Sequence, residues 1–236
     1  MVAVIGDIHG CYNTLKKLVE KIKNKYPNIK IFCVGDLVDR GNNSFEVIEY
    51  VIAENIHYTL GNHDYMFYSN MRDPFSLMAK SWNYNGAETT LTSYKDKLDK
   101  MDGHLDTIIS APLFYNLDDC FISHAGISKS IKKKLPKNFL SNDSQLDEIL
   151  KNDLSNQTSI IWARGELLNI GKLQVVGHTH RKEVLFDEVS NALYIDTTAY
   201  GNNKLTSVIV DQNRLIDTLE EKTVIDDVNR NWTYNL

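Results

Sequence analysis

Three apolar runs, at residues 2–5, 31–34 and 56–60, each break off at a glycine, and each glycine is followed at once by a cation-binding side chain: Gly6-Asp7, Gly35-Asp36 and Gly61-Asn62. Between them lie two stripes at helical spacing: Leu15, Leu18, Val19 and Ile22, then Val47, Ile48, Val51 and Ile52. A short apolar run bounded by a turn signal suits a buried strand, and a 3.6-residue repeat suits a helix packed on it. Strand, helix, strand, helix, strand at this spacing predicts parallel βαβ units with right-handed crossovers. Pro27 lies just past the first helix, and Asn43 or Ser44 is the expected N-cap of the second. Ligands collect at the carboxyl ends of such strands, where the three glycines stand.

The rest of the chain is less regular. Residues 65 to about 110 are dense in aromatics, including Tyr65, Phe67, Tyr68 and Trp82, and read as a helical insert beside the site. Residues 113–117 and 120–124 read as strands. The polar stretch 128–158 reads as a surface excursion with a helix near 144–152. Short apolar runs at 173–176, 192–196 and 207–210 predict an antiparallel-leaning second sheet. No Pro- or Gly-rich linker divides the chain. The expectation is one domain over residues 1–236, an α/β two-sheet β-sandwich flanked by helices on a βαβαβ core.

Composition narrows the function classes. With 236 residues and 42% apolar content, wholesale disorder is excluded. A net charge of −5 argues against extended nucleic-acid binding through a basic surface. It leaves a phosphate substrate open, because bound cations dominate their local field. Cys11, Cys33 and Cys120 suggest neither a disulfide framework nor a thiolate zinc site, but reduced thiols in a cytoplasmic protein. No secretory signal is visible, and no apolar run approaches the ~18 residues that span a membrane.

Two further motifs, Ser123-His124-Ala125-Gly126 and Gly177-His178-Thr179-His180, complete a set that uses five of the seven histidines. Asp7 and His9 are one residue apart in a turn, so both can face one cavity. A carboxylate with an imidazole suits a borderline divalent ion. The two oxygens of Asp36 can bridge two ions about 3.5–4 Å apart. Asn62 offers an amide oxygen, and His124 and His178 complete the ligand set of a second ion. His57 and His104 have no motif around them and are given no role.

With Gly6-Asp7-Ile8-His9-Gly10, Gly35-Asp36-Leu37-Val38-Asp39-Arg40-Gly41 and Gly61-Asn62-His63-Asp64, the chain resembles the calcineurin-like metallophosphoesterases, and within them the phosphoprotein-phosphatase branch. The stretch Trp82 to Tyr94 and Ile195-Asp196-Thr197 look most like the small bacterial and phage (lambda-type) serine/threonine protein phosphatases. The resemblance runs from residue 2 to about 201. It implies a first cation held by Asp7, His9 and Asp36 and a second by Asp36, Asn62, His124 and His178. His180 departs from that branch's pattern and is expected as an added first-cation ligand. Mn is the foremost expected metal, with Fe, Zn, Co and Ni also compatible. Water activated between the cations would attack phosphorus directly, without a covalent phosphoenzyme. Arg40 and Arg164 are expected as phosphate clamps, since guanidinium forks match phosphate oxygens. Asn62 and His63 also stand among the expected substrate contacts. His63, with Asp64 beside it in sequence raising its pKa, is expected as general acid. Asp39 is expected to orient a neighbour such as Arg40, and Tyr200 to line the rim. The leading activity is phosphomonoester hydrolysis on phosphorylated proteins or peptides. The alternative is hydrolysis of a small phosphoester, by a diadenosine tetraphosphate hydrolase or a nucleotide or RNA-end phosphodiesterase. A non-catalytic module on the same fold is disfavoured, because every expected ligand is present.

Overall fold

The first three strands and the helices between them form as the spacing requires. They are β1 (Val2–Ile5), α1 (Tyr12–Lys25), β2 (Lys30–Cys33), α2 (Ser44–Ala53) and β3 (His57–Tyr58). These are seen in a computed structural model, which describes residues 1–152 and 154–232. β1 pairs with β2 and β2 with β3, both parallel. All four residues of β1 are buried, as expected where both faces of a parallel sheet are covered. Pro27 follows α1, and Asn43 stands at the N-cap of α2, although its side chain does not cap that helix.

The insert is helical throughout: α3 (Asn62–Arg72), α4 (Leu77–Trp82), α5 (Ala87–Ser93) and α6 (Leu98–Ile109). The remaining elements are β4 (Phe114–Asn116), β5 (Phe121–Ser123), α7 (Asp143–Lys151), β6 (Gln174–Val176), β7 (Leu185–Asp187), β8 (Ala192–Tyr194), β9 (Lys204–Asp211) and β10 (Arg214–Lys222). Two mixed five-stranded sheets result, ordered β10-β9-β1-β2-β3 and β4-β5-β6-β8-β7.

The sandwich core follows from the two-residue period of a strand. Val2, Val4, Phe32 and Val34 from the first sheet pack with Ile122, Val175 and Leu193 from the second. Ala3, Ile5, Ile31 and Cys33 alternate with them and face the helices, against Leu15, Leu18 and Val47. Each such aliphatic side chain, once buried, stabilises the fold by about 1.5–3 kcal/mol.

Two expectations change here. The run at 207–210 does not join the second sheet. It lies in β9, which pairs antiparallel with β1 in the register Ser207↔Ile5, Val208↔Val4, Ile209↔Ala3 and Val210↔Val2. Its alternation explains this: Val208 and Val210 enter the sandwich core, and Leu205 and Ile209 face the helices. Such a strand is apolar on both sides and suits the interior of a sheet. The second sheet is mixed, because β5, β6 and β8 run parallel. Three-residue strands are too short for their pattern to reveal direction.

The carboxyl ends of β1, β2, β3, β5 and β6 all lead into the five motifs. Cys11, Cys33 and Cys120 are buried free thiols. No helix among the described residues is long and apolar enough to cross a membrane.

Candidate metal centre

Asp36, just beyond β2, is the hub. Its Oδ2 lies 3.6 Å from His9 Nε2 and 3.4 Å from His124 Nε2. Among the described residues, two buried groups bring ligand atoms within 4.8 Å of one another: His9 with Asp36 and His63, and Asp36 with His124 and His178. A carboxylate common to both groups is what two closely spaced cations require.

Hydrogen bonds fix which ring nitrogens face inward. His9 Nδ1 is 2.9 Å from the Val38 carbonyl, and His124 Nδ1 is 2.8 Å from the Val34 carbonyl. A carbonyl only accepts, so each Nδ1 carries the proton and each Nε2 keeps its lone pair. Asn62 Oδ1 lies 2.8 Å from both His124 Nε2 and His178 Nδ1. His178 Nε2 is sealed from solvent without a partner among the described residues. Leaving a buried polar atom unsatisfied costs about 1–3 kcal/mol, which a bound cation would offset. The donor set of imidazoles, carboxylates and an amide oxygen fits two divalent ions.

The other expected residues divide. Asp7 is buried, but its carboxylate turns to the His178 backbone N–H, which it accepts at 3.0 and 3.2 Å, and it stands outside both groups. The third member of the group around His9 is His63, whose ring lies between Asp39 and Arg40. His180 is exposed and joins neither group, although its charge reaches the buried Asp196. Two residues beyond His178 the chain has turned outward, and Arg181 N–H bonds to the Asp196 carbonyl. Arg164 is exposed, yet its charge reaches Asp36, His124 and His178. Arg40 reaches inward, donating from NH1 to His9 Nε2 at 3.0 Å and from NH2 to His63 Nε2 at 2.9 Å. Its guanidinium lies 4.5 Å from the ring of Tyr200, which is buried and not at the rim.

The orienting carboxylates also change places. Asp64 follows His63 in sequence but does not touch its ring. It accepts the backbone N–H groups of Asp36 (2.8 Å), Leu37 (2.9 Å) and Gly61 (3.1 Å). The reason is helical geometry, since adjacent residues at the start of α3 point apart. The carboxylate on His63 is Asp39, with Oδ2 2.7 Å from Nδ1. Asp39 also accepts Trp82 Nε1 (2.9 Å) and Thr90 Oγ1 (2.7 Å), which ties the helical insert to the site.

Burial and then the Arg40 charge hold the pKa of His63 well below its ordinary value. Its Nε2 accepts from Arg40, so the protonated general acid expected from sequence is absent in this arrangement. Burial lowers His9 and His178 likewise, and lowers His124 to about 4. Burial pushes Asp36 up to about 7. Asp7 is raised well above the carboxylate range by burial, then by the nearby charges of Asp196 and Asp36.

Cation affinity should therefore depend on pH through the carboxylates and not the imidazoles. Below about pH 7 a cation must displace a proton from Asp36, while the histidines are already neutral. Titration calorimetry with Mn2+ on cation-free protein should show at least ~10-fold weaker binding at pH 6 than at pH 8, with proton release at the lower pH. Equal affinities with no proton release would contradict the carboxylate assignment.

Asp196, buried just past β8, carried no assigned role in the sequence. Its charge acts on Asp7 more strongly than that of Asp36 does. The signal was present: the apolar run before it ends in a carboxylate, as the runs before Asp7 and Asp36 do. Backbone strain also concentrates here. His9, Asp36, Asp39, Arg40 and His178 all have φ between +46° and +74°, a region non-glycine residues seldom enter.

The chain as a whole resembles known proteins. A model of the calcineurin-like phosphoesterases matches residues 1–182. The asymmetrical bis(5'-nucleosyl)-tetraphosphatase PrpE of Anoxybacillus flavithermus is 30% identical over 234 residues, covering 87% of this chain and 88% of that protein. The PrpE enzyme of Halalkalibacterium halodurans is 30% identical over 138 residues, 52% of this chain and 56% of that one, so this match spans about half of its length. Among solved structures, a cold-active protein-tyrosine phosphatase of a Shewanella species shares the fold with a TM-score of 0.62 and 20% identity, over 94% of this chain and 80% of that one.

Proposed function

This chain belongs to the calcineurin-like phosphoesterase family, and we propose that it hydrolyses dinucleoside polyphosphates of the bis(5'-nucleosyl)-tetraphosphate class. The observation that carries the hydrolase reading is the Asp36 carboxylate shared by two buried ligand groups. Two divalent cations, with Mn the first choice, would supply activated water and neutralise charge on the phosphoryl oxygens. His9, Asp36, Asn62, His124 and His178 hold them, with Asp7 beside the His178 end. Arg40 is the inner phosphate contact. Its Nε is buried without a hydrogen-bond partner among the described residues, so one donor awaits an acceptor. Arg164 is the outer phosphate contact. His63 is fixed between Asp39 and Arg40 and keeps Arg40 aimed into the pocket.

Two observations favour the nucleotide substrate over a phosphorylated protein. The relatives that match about seven-eighths of the chain bear the tetraphosphatase name. A cavity of about 390 Å³ opens beside Arg164, with Ser128, Gln157 and Thr158 at its edge and a mostly apolar wall, against which the nucleoside of a leaving nucleotide can pack. Protein-phosphatase activity, first in the sequence reading, becomes the comparison substrate.

The test is a panel on Mn-loaded protein: diadenosine tetraphosphate, a phosphothreonine peptide, p-nitrophenyl phosphate and its bis ester. The tetraphosphate should lead the peptide in kcat/KM by on the order of 100-fold. Products of ATP plus AMP mean asymmetrical cleavage, and two ADP mean symmetrical cleavage. A faster peptide would overturn the substrate, and inertness on all four would overturn the hydrolase reading.

A further inference from the structure

We propose that Asp227, in the C-terminal tail and beyond the 1–182 span shared with the family, is a positioning residue that keeps the loop of Arg40 in register with the loop of His9. The proposal rests on the phosphoester-hydrolase reading of the site.

Asp227 is fully buried although it lies near the end of the chain. Its carboxylate accepts five hydrogen bonds. Oδ1 receives Asn13 N–H (3.0 Å), Asn13 Nδ2 (3.0 Å) and Asn43 Nδ2 (2.9 Å), and Oδ2 receives Thr14 N–H (2.8 Å) and Thr14 Oγ1 (2.7 Å). Asn13 and Thr14 open α1, whose free N–H groups and dipole favour an anion. Cys11, the residue at the N-cap, gives that helix no side-chain cap, so the distant carboxylate does so. The tail grips the second loop as well. The Asp227 carbonyl accepts Asn42 N–H at 3.0 Å, and Asn42 Nδ2 donates to the Asp226 and Val228 carbonyls.

The gripped loop leads directly to Arg40. Gly41 N–H bonds to the His9 carbonyl at 3.1 Å, and Asn43 N–H to the Gly10 carbonyl at 3.0 Å. The loops touch backbone to backbone: a Cβ on Gly41 would lie 2.2 Å from the His9 carbonyl oxygen. Arg40, one residue earlier, follows Asp39 in a left-handed pair with φ of +74° and +71°. Such a pair persists only where its surroundings hold both ends. Asp39 is anchored by Trp82 and Thr90, and the other end, Asn42-Asn43, is held by Asp227. Removing that hold lets Arg40 retreat from the phosphate position.

The variants are Asp227→Asn, which keeps shape but turns one acceptor into a donor, and Asn43→Ala, which removes the carboxylate's own bond to the second loop and leaves the bonds of Asn42 to the tail in place. Each should raise KM for p-nitrophenyl phosphate by about tenfold, with a smaller change in kcat. Neither should lower kcat/KM further in an Arg40→Ala background. Amide exchange at Gly41 and Asn42 should quicken in both. Unchanged exchange and kinetics in Asn43→Ala, or an equal loss of kcat/KM with and without Arg40, would overturn the proposal. Inactivity of the unmodified protein towards every phosphoester, with exchange still quickened in the variants, would sink the hydrolase reading and leave the clamp standing.

Discussion

Asp36→Asn is expected to lower kcat by on the order of 10³-fold while leaving the fold intact. Removing a single donor aimed at developing charge costs about 10²–10³ in rate, and Asp36 serves both ligand groups. Asparagine is the replacement that best preserves the backbone. Position 36 has φ of +52°, which asparagine tolerates, and an amide oxygen can still accept His63 N–H as Oδ1 does at 2.9 Å. The sign of the stability change follows from the pKa. A carboxyl raised from 3.8 to about 7 on folding contributes stability that is present at low pH and lost as pH rises through 7. At pH 8 the cation-free variant, with no charge to bury there, should melt at or above the parent's temperature. Calorimetry beside a turnover assay separates the two effects. An active variant would mean that Asp36 does not hold the cations, and one that is inactive because it is unfolded would mean that Asp36 serves the fold.

Gly177→Ala should be nearly as severe, for a steric reason. A Cβ at Gly177 would lie 1.8 Å from Asp7 Oδ1 and 2.6 Å from Val34 Cγ2. The backbone cannot yield, because Gly177 N–H bonds to the His124 carbonyl at 2.8 Å and the next N–H, on His178, is held by Asp7. Overpacking costs about 1–3 kcal/mol, and losing the buried carboxylate–amide bonds adds about the same. A domain of this size then melts ~10 °C lower. Activity should fall by on the order of 10²-fold even in the folded fraction, because Asp7 and His178 are displaced together. A methyl accepted with parental melting and turnover would mean that these strand ends are looser than described.

The sequence made the strand-end motifs legible because each combines a buried run, a turn glycine and a ligand atom within a few residues. Asp36, His9, His124 and Asn62 therefore meet as their local context suggested. What failed was inference from adjacency. Asp64 neighbours His63 in sequence but serves the Asp36 backbone, whereas Asp39, 24 positions away, holds the imidazole. His180 shares a motif with His178 but is exposed where His178 is buried. Asp196 ends an apolar run as Asp7 and Asp36 do but has no glycine before it, and Asp227 follows no such run, so its role comes from tertiary placement. The pairing of β9 with β1 was hidden for a different reason: an apolar run does not state which sheet will receive it.

His9, Asp36 and Asn62 stand at the ends of strands in one sheet, and His124 and His178 follow strands of the other. Cations seated among them would act as rivets across the sandwich. An ion that binds only the closed form adds to its free energy by mass action, about 1.4 kcal/mol for each tenfold excess over its dissociation constant. The resistance of the two layers to being pried apart thus becomes a function of the surrounding metal supply, in a part of the molecule that hydrophobic packing alone would otherwise govern.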